Sequence, residues 1–217
     1  MKRIAFILLL LIGTGTLFAQ ESAKLYNAGN DALKAKDYAK ALENYEKAVA
    51  VWGTAPQDYG MLYNCGICAI QLKDYEKAIK YFDQCYTNNF KPEDALYYKA
   101  ALYKVLKNND AYLKAINEGV TKFPQNAKFK GDLSKTYFSE GVSHYNTGNA
   151  ILKGAVDKIN AKKFKDAKDP GYMAEMAKAK KEFGDAIPSF DKAIELNAAD
   201  EKAKEIKAAC EKQVKAL

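Results

Sequence analysis

The stretch KDYAKALENYEKA, Lys36 to Ala48, returns 37 residues later as KDYEKAIKYFDQC, Lys73 to Cys85. Each copy opens Lys-Asp-Tyr and sets an alanine three residues after the tyrosine (Ala41, Ala78). An aromatic follows four residues on (Tyr45, Phe82), and a small residue three beyond that (Ala48, Cys85). Steps of three and four place all of these on one face of a helix. A phrase repeated at this offset predicts a repeat architecture, in which each unit must bury the same face against its neighbour. The segments ahead of the two copies agree with one another. Leu25, Gly29 and Ala32 in the first answer to Leu62, Gly66 and Ala69 in the second: large, small four later, small three on. Each unit therefore reads as a helical hairpin whose first helix offers small residues to a closely approaching second helix, with Tyr38 and Tyr75 plugging the turn. Pro56, Pro92 and Pro124 fall between hairpins, where a helix must stop.

These residues resemble the tetratricopeptide repeat, a 34-residue unit with the same ladder of large, small and aromatic positions. The resemblance covers most of the chain and implies an all-α solenoid, an α-α superhelix of about four hairpins. Repeats one and two span about 22–55 and 59–92. A third, about 93–126, keeps Leu96, Ala100, Tyr103 and the ending Gly119 to Pro124, but has Tyr112 where the family has alanine. The half-unit FGDAIPSFDKAIELN, Phe183 to Asn197, restores the pattern with Ala186, Phe190 and Ala193; Pro188 is expected in the first turn of its helix. The first helix of this fourth unit has two registers, one on Leu133, Ser134, Tyr137 and Gly141, the other on Tyr137, Gly141 and Gly148. An insertion, residues 150–181, separates its helices and is itself helical in pattern. It predicts one long hairpin turning near Pro170 and overshooting the array by roughly 17 residues, or about 25 Å. A capping helix over 198–217 completes the chain. The expected organisation is a signal peptide at 1–19, repeats one to three at 20–126, and the fourth unit with insert and cap at 127–217.

The first residues read as an export signal: Met1-Lys2-Arg3, an apolar run from Ile4 to Ile12, and Leu17-Phe18-Ala19-Gln20, with cleavage expected after Ala19. The apolar run is short of the roughly 20 residues of a spanning helix, so the expectation is an exported protein, periplasmic or secreted, that does not span the membrane after cleavage. Removing 19 of 217 residues leaves 198. Arg3 is the only arginine and leaves with the signal. A chain without arginine is poorly equipped for bidentate grip on phosphates, which argues against nucleic acid.

Chemistry has little to work with. His144 is the only histidine, and no glycine-rich phosphate loop, nucleophile elbow or paired carboxylates appear. The expectation is no catalytic residues, no cofactor and no metal. Cys65-Gly66-Ile67-Cys68 offers the alternative from another class, a thiol-redox protein working through Cys65 and Cys68. Against it, both cysteines occupy positions the repeat wants small or apolar, in mid-helix. Cys85 stands where Ala48 stands in the first repeat, and reads as a small core residue or as half of a disulfide that an exported protein permits.

A binding surface is the better-supported reading. In the family the first helix of each hairpin lines a concave groove for partner segments. By resemblance the groove here holds Tyr26, Asn30 and Leu33, then Tyr63, Asn64, Ile67 and Ile70, then Tyr97 and Ala101, and Phe138. Asn30 and Asn64 match the two asparagines with which some family members clamp a terminal carboxylate. Tyr26, Asp94 and Tyr98 stand where that clamp needs cations, so the clamp itself is not expected. The partner expected is a protein or peptide. The insert supplies a second surface: residues 150–181 carry nine lysines, among them Lys162, Lys163 and Lys165, against Asp157, Asp166, Asp169 and Glu175. That excess of five equals the whole excess of the processed chain, 32 lysines over 27 acidic residues. Such an arm reads either as a solvated lysine face, since long exposed helices need charge for solubility, or as a device that steers toward an acidic partner or an anionic envelope surface.

Overall fold

The structure, a computed structural model, describes residues 20–51 and 58–217. The expected signal peptide and Pro56 lie outside the described residues. Among those described there are nine helices and no strand: α1 (residues 20–34), α2 (Tyr38–Ala50), α3 (Tyr59–Gln71), α4 (Tyr75–Thr87), α5 (Pro92–Val105), α6 (Asn109–Lys122), α7 (Ala127–Asn160), α8 (Pro170–Leu196) and α9 (Glu201–Ala216). The fold is the all-α array of hairpins that the repeats predict. It divides after Gly119 into two compact units.

In the first unit the repeated Lys-Asp-Tyr is the turn of each hairpin. Lys36 and Lys73 take the left-handed conformation, φ 60° and 62°. Lys36 N–H then bonds to the Leu33 carbonyl and Asp37 N–H to that of Ala32, both at 2.9 Å; Lys73 and Asp74 bond likewise to Ile70 and Ala69. This closes the end of the first helix by the Schellman pattern. The same aspartate opens the second helix, since Asp37 Oδ1 accepts from Lys40 N–H and Asp74 Oδ1 from Lys77 N–H. The third hairpin repeats the device with Lys107 (φ 57°) and Asn108, whose Oδ1 caps Ala111.

Two helices meet above each turn through a glycine under a ring. A Cβ on Gly29 would lie 2.7 Å from the Tyr45 ring, and one on Gly66 would lie 2.8 Å from that of Phe82. Tyr45 and Phe82 are fully buried, with Ala41, Ala48, Ala78 and Cys85 around them. Full burial of one such ring contributes about 1.5–3 kcal/mol, and a side chain on the glycine would forbid it. The third hairpin exchanges volumes: Ala100 replaces the glycine and Ile116 the aromatic, both fully buried. Tyr112 is buried as well, under the Lys104 ammonium at 5.2 Å, and its hydroxyl has no hydrogen-bond partner among the described residues. Pro92 is the first residue of α5, where its missing N–H is not needed.

The second unit is a long antiparallel hairpin, α7 on α8, with α9 packed on α8. Both sequence registers are used at once. A Cβ on Gly141 would lie 2.9 Å from the Phe190 ring, and one on Gly148 2.9 Å from that of Phe183. Ser134, Gly141, Gly148 and Ala155 recur every seventh residue and are all buried; Phe183 and Phe190 answer with the same spacing. The hairpin thus writes the glycine-under-ring contact twice, on the seven-residue period of a supercoiled pair. Ser134 Oγ adds a bond to the Ala193 carbonyl at 2.9 Å, and His144 Nδ1 lies 2.8 Å from Glu182 Oε2. Past its glycine, α7 runs 19 residues where α1 and α3 run five. The overshoot is therefore 14 residues, about 21 Å, rather than 17. Ala203 and Cys210 of α9 are buried against α8, with Ile206, Val214 and Leu217 beside them.

Pro188 corrects the sequence reading. It lies deep inside α8, which starts at Pro170, because the insert continues into the repeat helix without a break. An interior proline removes a helical bond and costs about 3 kcal/mol. Pro188 sits on the exposed side, and Phe183, Ala186, Phe190 and Ala193, all fully buried, carry the helix through it.

Candidate functional site

The expected groove residues of the first unit come from α1, α3 and α5, and the structure ties most of them into the array. Asn30 Oδ1 accepts from the Tyr45 hydroxyl at 2.7 Å, and Asn64 Nδ2 approaches the same oxygen at 3.5 Å. The two asparagines thus share a hydroxyl between the first and second hairpins. Burial, with Cys68 and Tyr26 nearby, pushes the Tyr45 phenol up to about 12, so it stays a neutral donor. Tyr26 is half-buried with its ring 5.8 Å from that of Tyr45. Leu33, Ile67 and Ile70 are partly buried against the same core. Tyr97 is half-buried and Ala101 exposed.

Tyr63 is more deeply committed than its place in a groove row suggests. Its ring packs on Phe82 (5.4 Å), Tyr98 (6.0 Å) and Phe90 (6.1 Å), and the Lys91 ammonium lies 4.6 Å above it. Burial first, then Tyr98 and Asp94, raise its phenol well above the usual range. Truncating Tyr63 would therefore disturb the packing of two hairpins as well as any surface it forms. In the second unit Phe138 packs edge-on to Phe190 at 5.9 Å, with the Lys202 ammonium 5.9 Å from its ring.

Contacts between the second helices were not legible in the repeat pattern. Tyr81 donates to Glu46 Oε1 at 2.5 Å, and Lys77 pairs with the same carboxylate at 2.9 Å. Tyr86 donates to Glu118 Oε1 at 2.5 Å. The helix α4 is thereby latched to α2 on one side and to α6 on the other. The only sequence signal is a spacing of 35 and 32 residues, close to the repeat length.

All four cysteines are free thiols and fully buried. Burial pushes Cys68, Cys85 and Cys210 up to about 11. Cys65 is raised further by burial and then by the Glu46 charge. Cys85 Sγ lies 3.5 Å from the Tyr59 carbonyl, and the disulfide weighed for it is not formed. A thiol held neutral and out of solvent is a poor nucleophile, so the geometry runs against the redox alternative.

The arm closes in the loop between α7 and α8. Lys162, in the left-handed conformation (φ 56°), Lys163 and Lys165 are exposed there. Asp169 organises the loop: Oδ2 accepts from Lys165 N–H at 3.1 Å and Oδ1 from Gly171 N–H at 2.8 Å, capping α8. These bonds hold its carboxyl below the ordinary range. Lys158 and Lys178 pair with Glu175, and Lys181 with Asp185. Lys153, Lys162, Lys163, Lys165, Lys168 and Lys180 make no ion pair with a described residue. Among the described residues no helix is long and apolar enough to cross a membrane.

Residues 26–90 match the family model for the tetratricopeptide repeat. No curated protein matches the sequence. Among solved structures, a TPR repeats protein from Bacteroides fragilis NCTC 9343 is 28% identical, with a TM-score of 0.59 over 88% of this chain and 98% of that one. A tetratricopeptide repeat protein from Parabacteroides merdae ATCC 43184 is 16% identical, TM-score 0.47, over 89% and 73% of the two chains. MamA from Desulfovibrio magneticus RS-1, from residue 41 to its end, is 14% identical, TM-score 0.47, over 90% and 92%.

Proposed function

We propose that this chain, which belongs to the tetratricopeptide-repeat family, is a non-enzymatic scaffold of the cell envelope that holds a protein or peptide partner. The repeat fold is that of a protein-interaction module. The observation that carries the reading is the division of labour between its two units. Unit one, up to Gly119, balances 13 lysines against 13 acidic residues from residue 20 onward, and offers the row of first helices with Tyr26, Asn30, Asn64, Ile67 and Tyr97. Unit two carries the excess charge, all of it within 150–181. The groove row then supplies contact and the arm supplies steering. Export, and with it the envelope location, rests on the segment from Met1 to Ala19 as read from the sequence.

The test is affinity capture from a native envelope extract with the processed chain, followed by binding kinetics on what is retained. Wild type should retain a discrete protein. Changing Lys162, Lys163 and Lys165 to glutamate should slow its association and flatten the salt dependence. No discrete protein retained over the control would sink the scaffold reading. An unchanged rate and salt slope would reduce the arm to a solvated spacer.

A further inference from the structure

The end of the α7–α8 hairpin carries an apolar recess as well as charge. Tyr172, Met173 and Met176 of α8, with Ala167 of the preceding loop and Leu217 after α9, line a cavity of about 470 Å3 that has Lys180 at its edge. Met173 is 59% exposed, an unusual exposure for a side chain that has a helix pair to pack on. We propose that this recess receives a large apolar side chain from an acidic protein segment, whose carboxylates meet the unpaired lysines around it. The proposal rests on the reading of the arm as a docking element and names what it docks.

Charge complementarity selects the occupant. Six lysines of the arm make no ion pair with a described residue. One of them, Lys180, lines the recess and another, Lys168, follows directly on the lining Ala167, so the charge there favours carboxylates. A second copy of this chain fits less well, because the acidic residues of its first unit are balanced one for one by lysines and its second unit is basic. A lipid bilayer fits less well. Docking on a bilayer needs apolar side chains at the leading end, and that end presents Lys162, Lys163, Lys165 and Lys168. Its one aromatic, Phe164, is folded back. Its ring lies 6.5 Å from that of Tyr172 and beneath the Lys158 ammonium, and Gly171 lies so close that a Cβ there would be 2.5 Å from the ring. The recess is lined instead by successive turns of α8, from Tyr172 to Lys180, so a peptide segment can lie along that helix. Methionines suit it, since their unbranched chains adapt to differing apolar groups.

The processed chain, labelled with 13C at methionine methyls, gives the readout. Met173 and Met176 report on the recess, and Met61, buried in the first unit, is the internal control. The probes are a synthetic glutamate-rich peptide with one leucine face, a glutamate-only peptide and phosphatidylglycerol vesicles. The leucine-faced peptide should shift the Met173 and Met176 methyls saturably and leave Met61 still. Met173→Glu, which alters an exposed residue, should weaken that binding at least about tenfold with an unchanged melting curve. Equal shifts from the glutamate-only peptide overturn the recess as a site, and shifts from vesicles alone transfer it to lipid. With the three arm lysines reversed, persistence of the saturable shift keeps the recess and rejects steering by the arm. Salt-sensitive peptide binding without methyl shifts keeps the arm and rejects the recess.

Discussion

Gly66 lies beneath the Phe82 ring, so closely that a Cβ would come within 2.8–3.0 Å of three ring atoms. That contact sets the distance between α3 and α4. Gly66→Leu should overpack the hairpin and cost about 1–3 kcal/mol, measured by urea unfolding. The chain also suggests the rescue, since its third hairpin pairs Ala100 with Ile116 at the equivalent positions. Gly66→Ala with Phe82→Ile should be more stable than the sum of the two single changes, the double-mutant cycle reading their coupling. Strict additivity would mean the two side chains do not set the helix separation.

The hairpin turns spend a lysine where glycine is the easier residue. Lys36, Lys73 and Lys107 all sit near φ 60°, a conformation that costs a non-glycine residue about 1–2 kcal/mol. Lys73→Gly removes that strain but gives back part of it through a more flexible unfolded chain. The expected gain is a few tenths to about 1 kcal/mol in the urea midpoint, and Lys73→Val should move it the other way. A loss on glycine substitution would show that the lysine side chain holds the turn by some contact of its own.

How much of this was legible depends on whether a feature is periodic. Gly29 with Tyr45 and Gly66 with Phe82 could be read because the same spacing occurs twice, and two copies fix a register. The α7 register was ambiguous for a physical reason: Gly141 and Gly148 both lie under rings, so both readings were half of one seven-residue pattern. Pro188 was misplaced because a proline was given its commonest helical position, while helix length was decided by the insert upstream. The contact of Asn64 with the Tyr45 hydroxyl was hidden because it depends on how far apart two hairpins stand. The recess at Met173 depends on where the end of α9 meets α8, which no local pattern encodes.

The buried thiols make stability depend on alkaline pH. Burial raises Cys85 from 9.0 to about 11, so the folded chain holds its proton where the unfolded chain releases it. The corresponding stability is fully present below about pH 9 and is lost as pH rises through about 11. Cys85→Ala installs the residue that the first repeat has at Ala48, and should leave stability near neutrality within about 1 kcal/mol. Its alkaline decline between pH 9 and 11 should be shallower than that of wild type. Identical slopes would place the alkaline sensitivity elsewhere. In the wild type, all four thiols should resist alkylation at pH 8 until denaturant is added; rapid labelling of Cys65 and Cys68 in the folded chain would revive the redox alternative.

Asp169 holds the arm's loop with both carboxylate oxygens, one on Lys165 N–H and the other on Gly171 N–H. Asp169→Ala removes both acceptors and should speed amide hydrogen exchange at Lys165, Gly171 and their neighbours, while the buried stretch of α7 around Gly141 keeps its protection. Asp169→Asn separates the two roles. Its single oxygen can still cap α8 at Gly171 but cannot also accept from Lys165, so protection should return at Gly171 alone. The same distinction appears with pH. The two N–H bonds hold the carboxyl below its ordinary 3.8, so the stabilisation is present above that value and is lost as pH falls through the lower folded one. Acidified wild type should then exchange at Lys165 like Asp169→Asn. If Asp169→Ala leaves exchange at Lys165 unchanged, the loop is held by Phe164 on Tyr172, and the carboxylate is only a helix cap.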